Sequence, residues 1–245
     1  MRIRMLLALL LLVACGEASS LPQIPPTPTP LAFTPLGDLL GRNLPVAGVE
    51  ITTVGYIVTD DAGARLLDGL SFSAGTSPQP LPGAAGPVWL DADSVRALDG
   101  LLQGASDMRY AVVLARGRLE GPGVYGPDGD YRYYMRDARL QTIAPEETSI
   151  AMLIGAAAAY EGRVVRVTGG LLAHSKSTLL VERLGPGGIP EGNARQLKLR
   201  GPIRDQALLG RLKSAAGGAI HFGQVQVEGF WRDGQLTPLA ILPVS

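Results

Sequence analysis

One thiol, two imidazoles and a thin scatter of aromatic rings are what this chain offers to side-chain chemistry. Cys15 is the single cysteine, so neither a disulfide framework nor a zinc-thiolate site can be built from the sequence. His174 stands beside Ser175 and Lys176 in a polar cluster, whereas His221 leads into an alternating segment where a packed or surface histidine is ordinary. Gly-x-Ser-x-Gly and His-Glu-x-x-His are both missing, so the common nucleophile and metal constellations cannot be assembled. Gly121-Pro122-Gly123-Val124-Tyr125-Gly126 spells G-x-G-x-x-G, but it opens no helix pattern and its proline removes a backbone donor that a phosphate needs. Asp60-Asp61 and Asp128-Gly129-Asp130 offer carboxylates to a cation, yet Pro127-Asp128-Gly129 is an ordinary turn signal. No catalytic residue, metal or cofactor is expected.

Cys15 takes its meaning from what precedes it. Arg2 and Arg4 give a positive start, residues 5–13 are almost wholly apolar, and Leu12-Val13-Ala14 sets small residues before the thiol. An apolar run of about nine residues is too short for a hydrocarbon core that needs ~20 helical residues, and it suits the core of an export signal. The segment resembles the lipobox of bacterial lipoproteins. The resemblance implies that the chain is cut before Cys15, that Cys15 carries a diacylglycerol thioether, and that membrane lipid holds the protein on the extracytoplasmic side of a bacterial envelope membrane. At about 0.8 kcal/mol per buried methylene, two or more acyl chains make a firm anchor. Residues 21–35 follow with six prolines, a polyproline II-like tether whose reach is at most roughly 45 Å.

The elements that must position everything else come in two matching sets. Residues 49–58 form an alternating strand pattern, and residues 162–172 repeat it. Short apolar strands follow at 64–72 and 177–184, then at 87–90 and 196–199. A helix pattern comes next in each half: residues 93–102, with Asp91 or Asp93 as N-cap, and residues 205–213, with Asp205. Residues 110–119 then match 222–231, placing Gly117 on Gly229, and residues 131–143 and 236–242 run into Pro145 and Pro243. Short helical stretches at 36–42 and 149–159 precede the two sets.

Strand, strand, strand, helix, strand, strand is the element order of the OB-fold. The expected fold is therefore mainly β with short helices: two tandem OB-fold-like five-stranded barrels, each with a helix between strands three and four and a short helix before strand one. Expected boundaries are a signal at 1–14, the lipidated cysteine and Pro/Thr-rich linker at 15–36, and domains at 37–147 and 148–245. Residues 160–169, Tyr-Glu-Gly followed by an alternating valine strand ending in Gly169, resemble the opening of extracytoplasmic bacterial OB-like lipoproteins. Gly55 and Gly169 fall late in the first strands, where a coiling strand resists a side chain.

OB domains bind on the face of strands two and three. That rule nominates Trp89, Tyr131 and Tyr133 in the first domain, and His174, Ser175, Lys176, Trp231 and Arg232 in the second. Formal charge is zero overall, but residues 46–150 hold eight arginines against fourteen acids, and residues 151–245 hold eleven bases against six acids. This split of −6 and +5 favours mutual attraction of the domains. Nucleic acid is disfavoured as a partner, because residues 177–184 and 196–199 lack the aromatic platforms that single strands need. The expected function is a non-catalytic binding or scaffolding module for an envelope protein or glycan. Its rivals are an enzyme accessory or hydrolase with a cleft site between the barrels, and a purely structural envelope protein.

Overall fold

The computed structural model describes residues 33–40, 46–73, 78–81, 86–105, 107–175 and 177–244. Leu12, Val13, Ala14 and Cys15, most of the linker, and Lys176 lie outside the described residues.

The chain docks through a short helix, α1 (Leu36–Leu40), whose two terminal leucines are buried. It then builds β1 (Val46–Asp60), β2 (Gly63–Leu67), β3 (Leu70–Ser71), β4 (Gln79–Pro80), β5 (Val88–Leu90), α2 (Ala92–Arg96), β6 (Gln103–Ala105), β7 (Met108–Gly121) and β8 (Tyr133–Thr142). β1 pairs with β2 and β7, β2 with β5, and β5 in parallel with β8, which returns to β7. Five strands thereby close into a barrel and leave no free edge among themselves. Its core is filled by Ile51, Ile57, Leu66, Leu90, Val113, Leu119 and Met135, with Leu36 and Leu40 of α1.

β9 (Glu146–Thr148) carries the chain from the first half to the second, which contributes α3 (Ile150–Gly155), α4 (Ala157–Tyr160), β10 (Val164–His174), β11 (Ser177–Val181), β12 (Gln196–Leu199), α5 (Gln206–Arg211), β13 (Lys213–Ala215), β14 (Ile220–Arg232) and β15 (Gln235–Pro243). β10 pairs with β11 and β14, β11 with β12, and β14 with β15. β12 meets β15 through one parallel pair, Leu199 with Leu236. A separate core fills this half, around Leu171, Leu180, Leu197, Val225 and Trp231. Asp205 caps α5 by accepting from the Leu208 amide at 2.9 Å, whereas Asp91 precedes α2 without a side-chain cap bond.

Glycine marks the same places in both halves. A Cβ at Gly55 would stand 2.4 Å from the Leu67 carbonyl, and one at Gly169 would stand 2.9 Å from that of Val181. Gly117 and Gly229 sit where the β7–β8 and β14–β15 registers slip, with a hypothetical Cβ at 2.8 Å from Arg136 O and 2.7 Å from Thr237 O. Each glycine lets one strand cross another's backbone where any side chain would collide.

Neither half keeps to itself. β9 runs parallel to β10, and β3, carrying β4 on its far edge, runs parallel to β15 through Leu70 with Ala240. A third apolar cluster fills the space between the halves, with Val54, Tyr56, Val58, Leu67, Leu70 and Val112 on one side and Val164, Phe230, Leu239 and Ala240 on the other. Among the described residues, no helix is long and apolar enough to cross a membrane.

Candidate functional site

The seam between the halves begins with the two-residue period of β1. Ile51 and Ile57 point into the barrel, so Val54, Tyr56 and Val58 point out of it. An outward row of that kind must find another apolar surface, and it finds β14 and β15. β7 does the same with Val112, beside which Tyr110 is only partly covered.

Where the two surfaces diverge, a cleft of about 570 Å³ opens. Three rings form one wall: Phe72 meets Tyr110 edge-on at 5.4 Å and Tyr56 at 6.4 Å, and Tyr56 lies 6.4 Å from Tyr110. Gln103 and Thr142 from the first half and Gln226 from the second add polar groups, and Ile143 and Leu242 add apolar ones. Volume, aromatic lining and position between folding units are those of small-molecule sites.

The cleft's floor is a charged clamp. Glu228 on β14 is 7% exposed. One of its carboxylate oxygens accepts from Arg166 Nη2 at 2.6 Å and Nε at 2.8 Å, and the other accepts from the Tyr56 hydroxyl. Arg166 also donates through Nη1 to Glu147 at 2.7 Å. Burial opposes the Arg166 charge, but the hydrogen bonds and attraction of Glu147 and Glu228 outweigh it and hold the guanidinium above its ordinary value. Burial, reinforced by Glu228, pushes the Tyr56 hydroxyl well up and raises that of Tyr110 as well. Tyr56 comes from β1 and Glu228 from β14, so their hydrogen bond ties the first half to the second.

Further ion pairs cross the seam in one direction, acid from the first half and base from the second: Asp38 with Arg200 at 3.1 Å, Asp68 with Arg204 at 2.5 Å, and Glu146 with Arg163 at 2.8 Å. The opposite charges of the two halves are therefore spent partly against each other. Asp38, Asp68, Arg200 and Arg204 line a second depression, of about 330 Å³.

The residues nominated from the sequence fall in several places. Trp89 is half-buried against Gly63 and tilts over Tyr131 at 5.0 Å, so these two come together as a packed pair. Tyr131 is 8% exposed and Tyr133 1%, the latter inside the barrel core, which leaves neither as an open stacking platform. Trp231 is 1% exposed in the other core and donates its indole N–H to the Ala157 carbonyl at 3.1 Å. Arg232, on the opposite face of β14, lies over the rings of Phe33 and Phe230 at 5.6 and 5.0 Å and pins the start of the docked chain. His174 and Ser175 are exposed where β10 turns toward β11. No group of three or more His, Cys, Asp or Glu side chains among the described residues could hold a metal.

The cleft residues Tyr56, Tyr110, Arg166 and Glu228 escaped the sequence reading. One signal was present: residues 54–58 are apolar on both faces of the strand, which marks a strand covered on both sides. No family model, no curated protein and no solved structure matches the chain.

Proposed function

We propose that this chain is a lipid-anchored protein of the bacterial cell envelope, held through acylated Cys15, whose two halves are tandem OB-like barrels joined into one non-catalytic binding module. The observation that carries the reading is the cleft over the Tyr56–Glu228–Arg166 clamp. Its charged groups already satisfy one another, and what remains for a ligand is the rim ring of Tyr110, Phe72 and the amides of Gln103 and Gln226. Rings with neighbouring amides suit an uncharged, hydroxyl-rich ligand such as a glycan segment, which stacks its apolar face and hydrogen-bonds along its edge. The alternation of β10 to β15 and the glycine correspondences support a second barrel in the later half.

Affinity capture from native membranes tests this, comparing the acylated wild type with a Tyr110→Ala, Gln226→Ala double variant. Glycan or protein recovered by the wild type and depleted at least several-fold in the variant supports the cleft. Recovery of the protein alone, or equal recovery by both forms, overturns it. Labelling with a radioactive fatty acid tests the anchor separately, since Cys15→Ser is expected to abolish incorporation.

A further inference from the structure

The outward face of β7 and β8 carries four of the eight arginines between residues 46 and 150, although that stretch is acidic as a whole. They are placed awkwardly for stability: Arg116 stands directly across from Arg139, and Arg118 from Arg136. Like charges in directly opposed positions repel. Glu50 relieves Arg116 at 2.8 Å and Glu120 relieves Arg136 at 3.1 Å. Arg118 and Arg139 have no ion pair among the described residues, and with Arg116 they border a concavity of about 360 Å³ over the Gly117 bulge. Asp137 and Glu50 are the carboxylates that line the same concavity.

The position of this face relative to the tether gives it a use. The Thr34 amide donates to Thr52 O at 3.2 Å and Thr53 Oγ1 donates to Thr34 O at 2.7 Å, so the docked end of the linker lies along β1. Thr52 pairs with Arg116, and Arg116 with Arg139. Successive strands lie about 4.8 Å apart, which sets Arg116 roughly 10 Å and Arg139 roughly 15 Å from the point where the chain departs toward residue 15. Glu50 lines both the arginine concavity and the depression around Phe33, Thr34 and Arg232.

We propose that Arg118 and Arg139, with Arg116 and Arg136 around them, form a docking face for the phosphates of anionic lipid headgroups, so that the protein lies on its own membrane with the tether side down. This orientation rests on the anchor proposed at Cys15. The arginine fork suits phosphate oxygens, and attraction to an anionic leaflet fades beyond a Debye length. A tether that ends beside the face brings this side of the molecule to the membrane, and attraction within that range then holds it there. The tether's full extension is an upper limit, which docking shortens.

The test uses the acylated full-length mature protein on vesicles of phosphatidylcholine, with or without about a third phosphatidylglycerol. A fluorophore at Gln141→Cys, on the same face of β8, reports energy transfer to headgroup-labelled lipid. One at Asp61→Cys lies past the far end of β1, about nine residues or ~30 Å beyond Thr52, and is the control. Transfer from position 141 is expected to rise at least two-fold on the anionic vesicles, to fall back in about 0.5 M salt, and to be lost in an Arg118→Ser, Arg139→Ser variant with an unchanged melting temperature. Equal transfer on both vesicle types, an equal gain at position 61, or no effect of salt or of the double variant overturns the proposal. Flotation with neutral vesicles reads the anchor independently. A chain that floats only with anionic vesicles, and only with its arginines, refutes the anchor while supporting the docking face.

Discussion

At Glu228 a carboxylate almost wholly removed from water meets three donors, and the cost of losing each differs. Tyr56→Phe removes one hydrogen bond to a charged acceptor, which is worth about 1.5–3 kcal/mol. Glu228→Ala strips Tyr56 of its acceptor and leaves Arg166 with Glu147 alone, and breaking a buried pair from one side costs about 3–5 kcal/mol. Urea unfolding is expected to rank Glu228→Ala well below Tyr56→Phe in stability. A Glu228→Ala cost under about 1 kcal/mol would show that the clamp is solvated.

The tyrosines add a dependence on pH. Burial, then Glu228, raises Tyr56 and Tyr110, and burial with a hydrogen bond to Asp91 pushes Tyr134 up to about 12. A tyrosine whose folded value exceeds the unfolded value of about 10 keeps its proton more tightly in the native state. Its contribution is complete below pH about 10 and is lost as pH climbs through the folded value, between about 10 and about 12 for Tyr134. Thermal melts are expected to show an alkaline fall beginning near pH 10 that is shallower in Tyr56→Phe. The same alkaline slope in both proteins would separate the fall from this hydroxyl.

Among the elements, the paired glycines make the sharpest case. A methyl group at Gly55 meets a carbonyl oxygen at 2.4 Å, whereas the equivalent at Gly169 meets one at 2.9 Å together with the movable tips of Ile150 and Leu180. Overpacking costs about 1–3 kcal/mol where neighbours can shift, so Gly169→Ala is expected within that range and Gly55→Ala above it, by chemical denaturation. Equal costs would mean that the backbone of β2 yields as readily as side chains do.

These glycines were legible in the sequence because a late-strand glycine inside an apolar alternation has few other uses. So were the strands at residues 110–119 and 222–231 and the cap at Asp205, each written in local pattern. The mainly β fold with a closed five-stranded barrel follows from the same alternation. What stayed hidden is long-range. Alternation shows that Tyr56 opposes Ile57 across the strand, but not that β14 covers the outer side, because Glu228 is 172 positions away. The tyrosines at 131 and 133 illustrate the converse: nominated as ligand-side rings, both are buried, Tyr133 in the barrel core and Tyr131 against Trp89.

For the whole molecule, the question is whether the halves fold as one unit or two. Six large side chains in the cluster between them, Phe33, Tyr56, Leu67, Leu70, Phe230 and Leu239, are each no more than 5% exposed. At about 2 kcal/mol per fully buried side chain the cluster contributes on the order of 12 kcal/mol, as an upper bound. That matches the entire stability of an ordinary domain, about 5–15 kcal/mol. Strand β3 lies on the other half's sheet and β9 bridges toward it, so separation would also break backbone ladders. Calorimetry of the wild type is accordingly expected to give one transition whose van 't Hoff and calorimetric enthalpies agree. Phe230→Ala removes the ring against which Phe33 packs at 4.2 Å and on which Arg232 rests at 5.0 Å. Its cost of about 3–5 kcal/mol falls mostly on the seam, so the single transition should broaden or divide, with the cores around Leu119 and Leu180 melting apart. A variant that melts lower but remains one sharp transition would place the coupling in the shared strands instead of the apolar cluster.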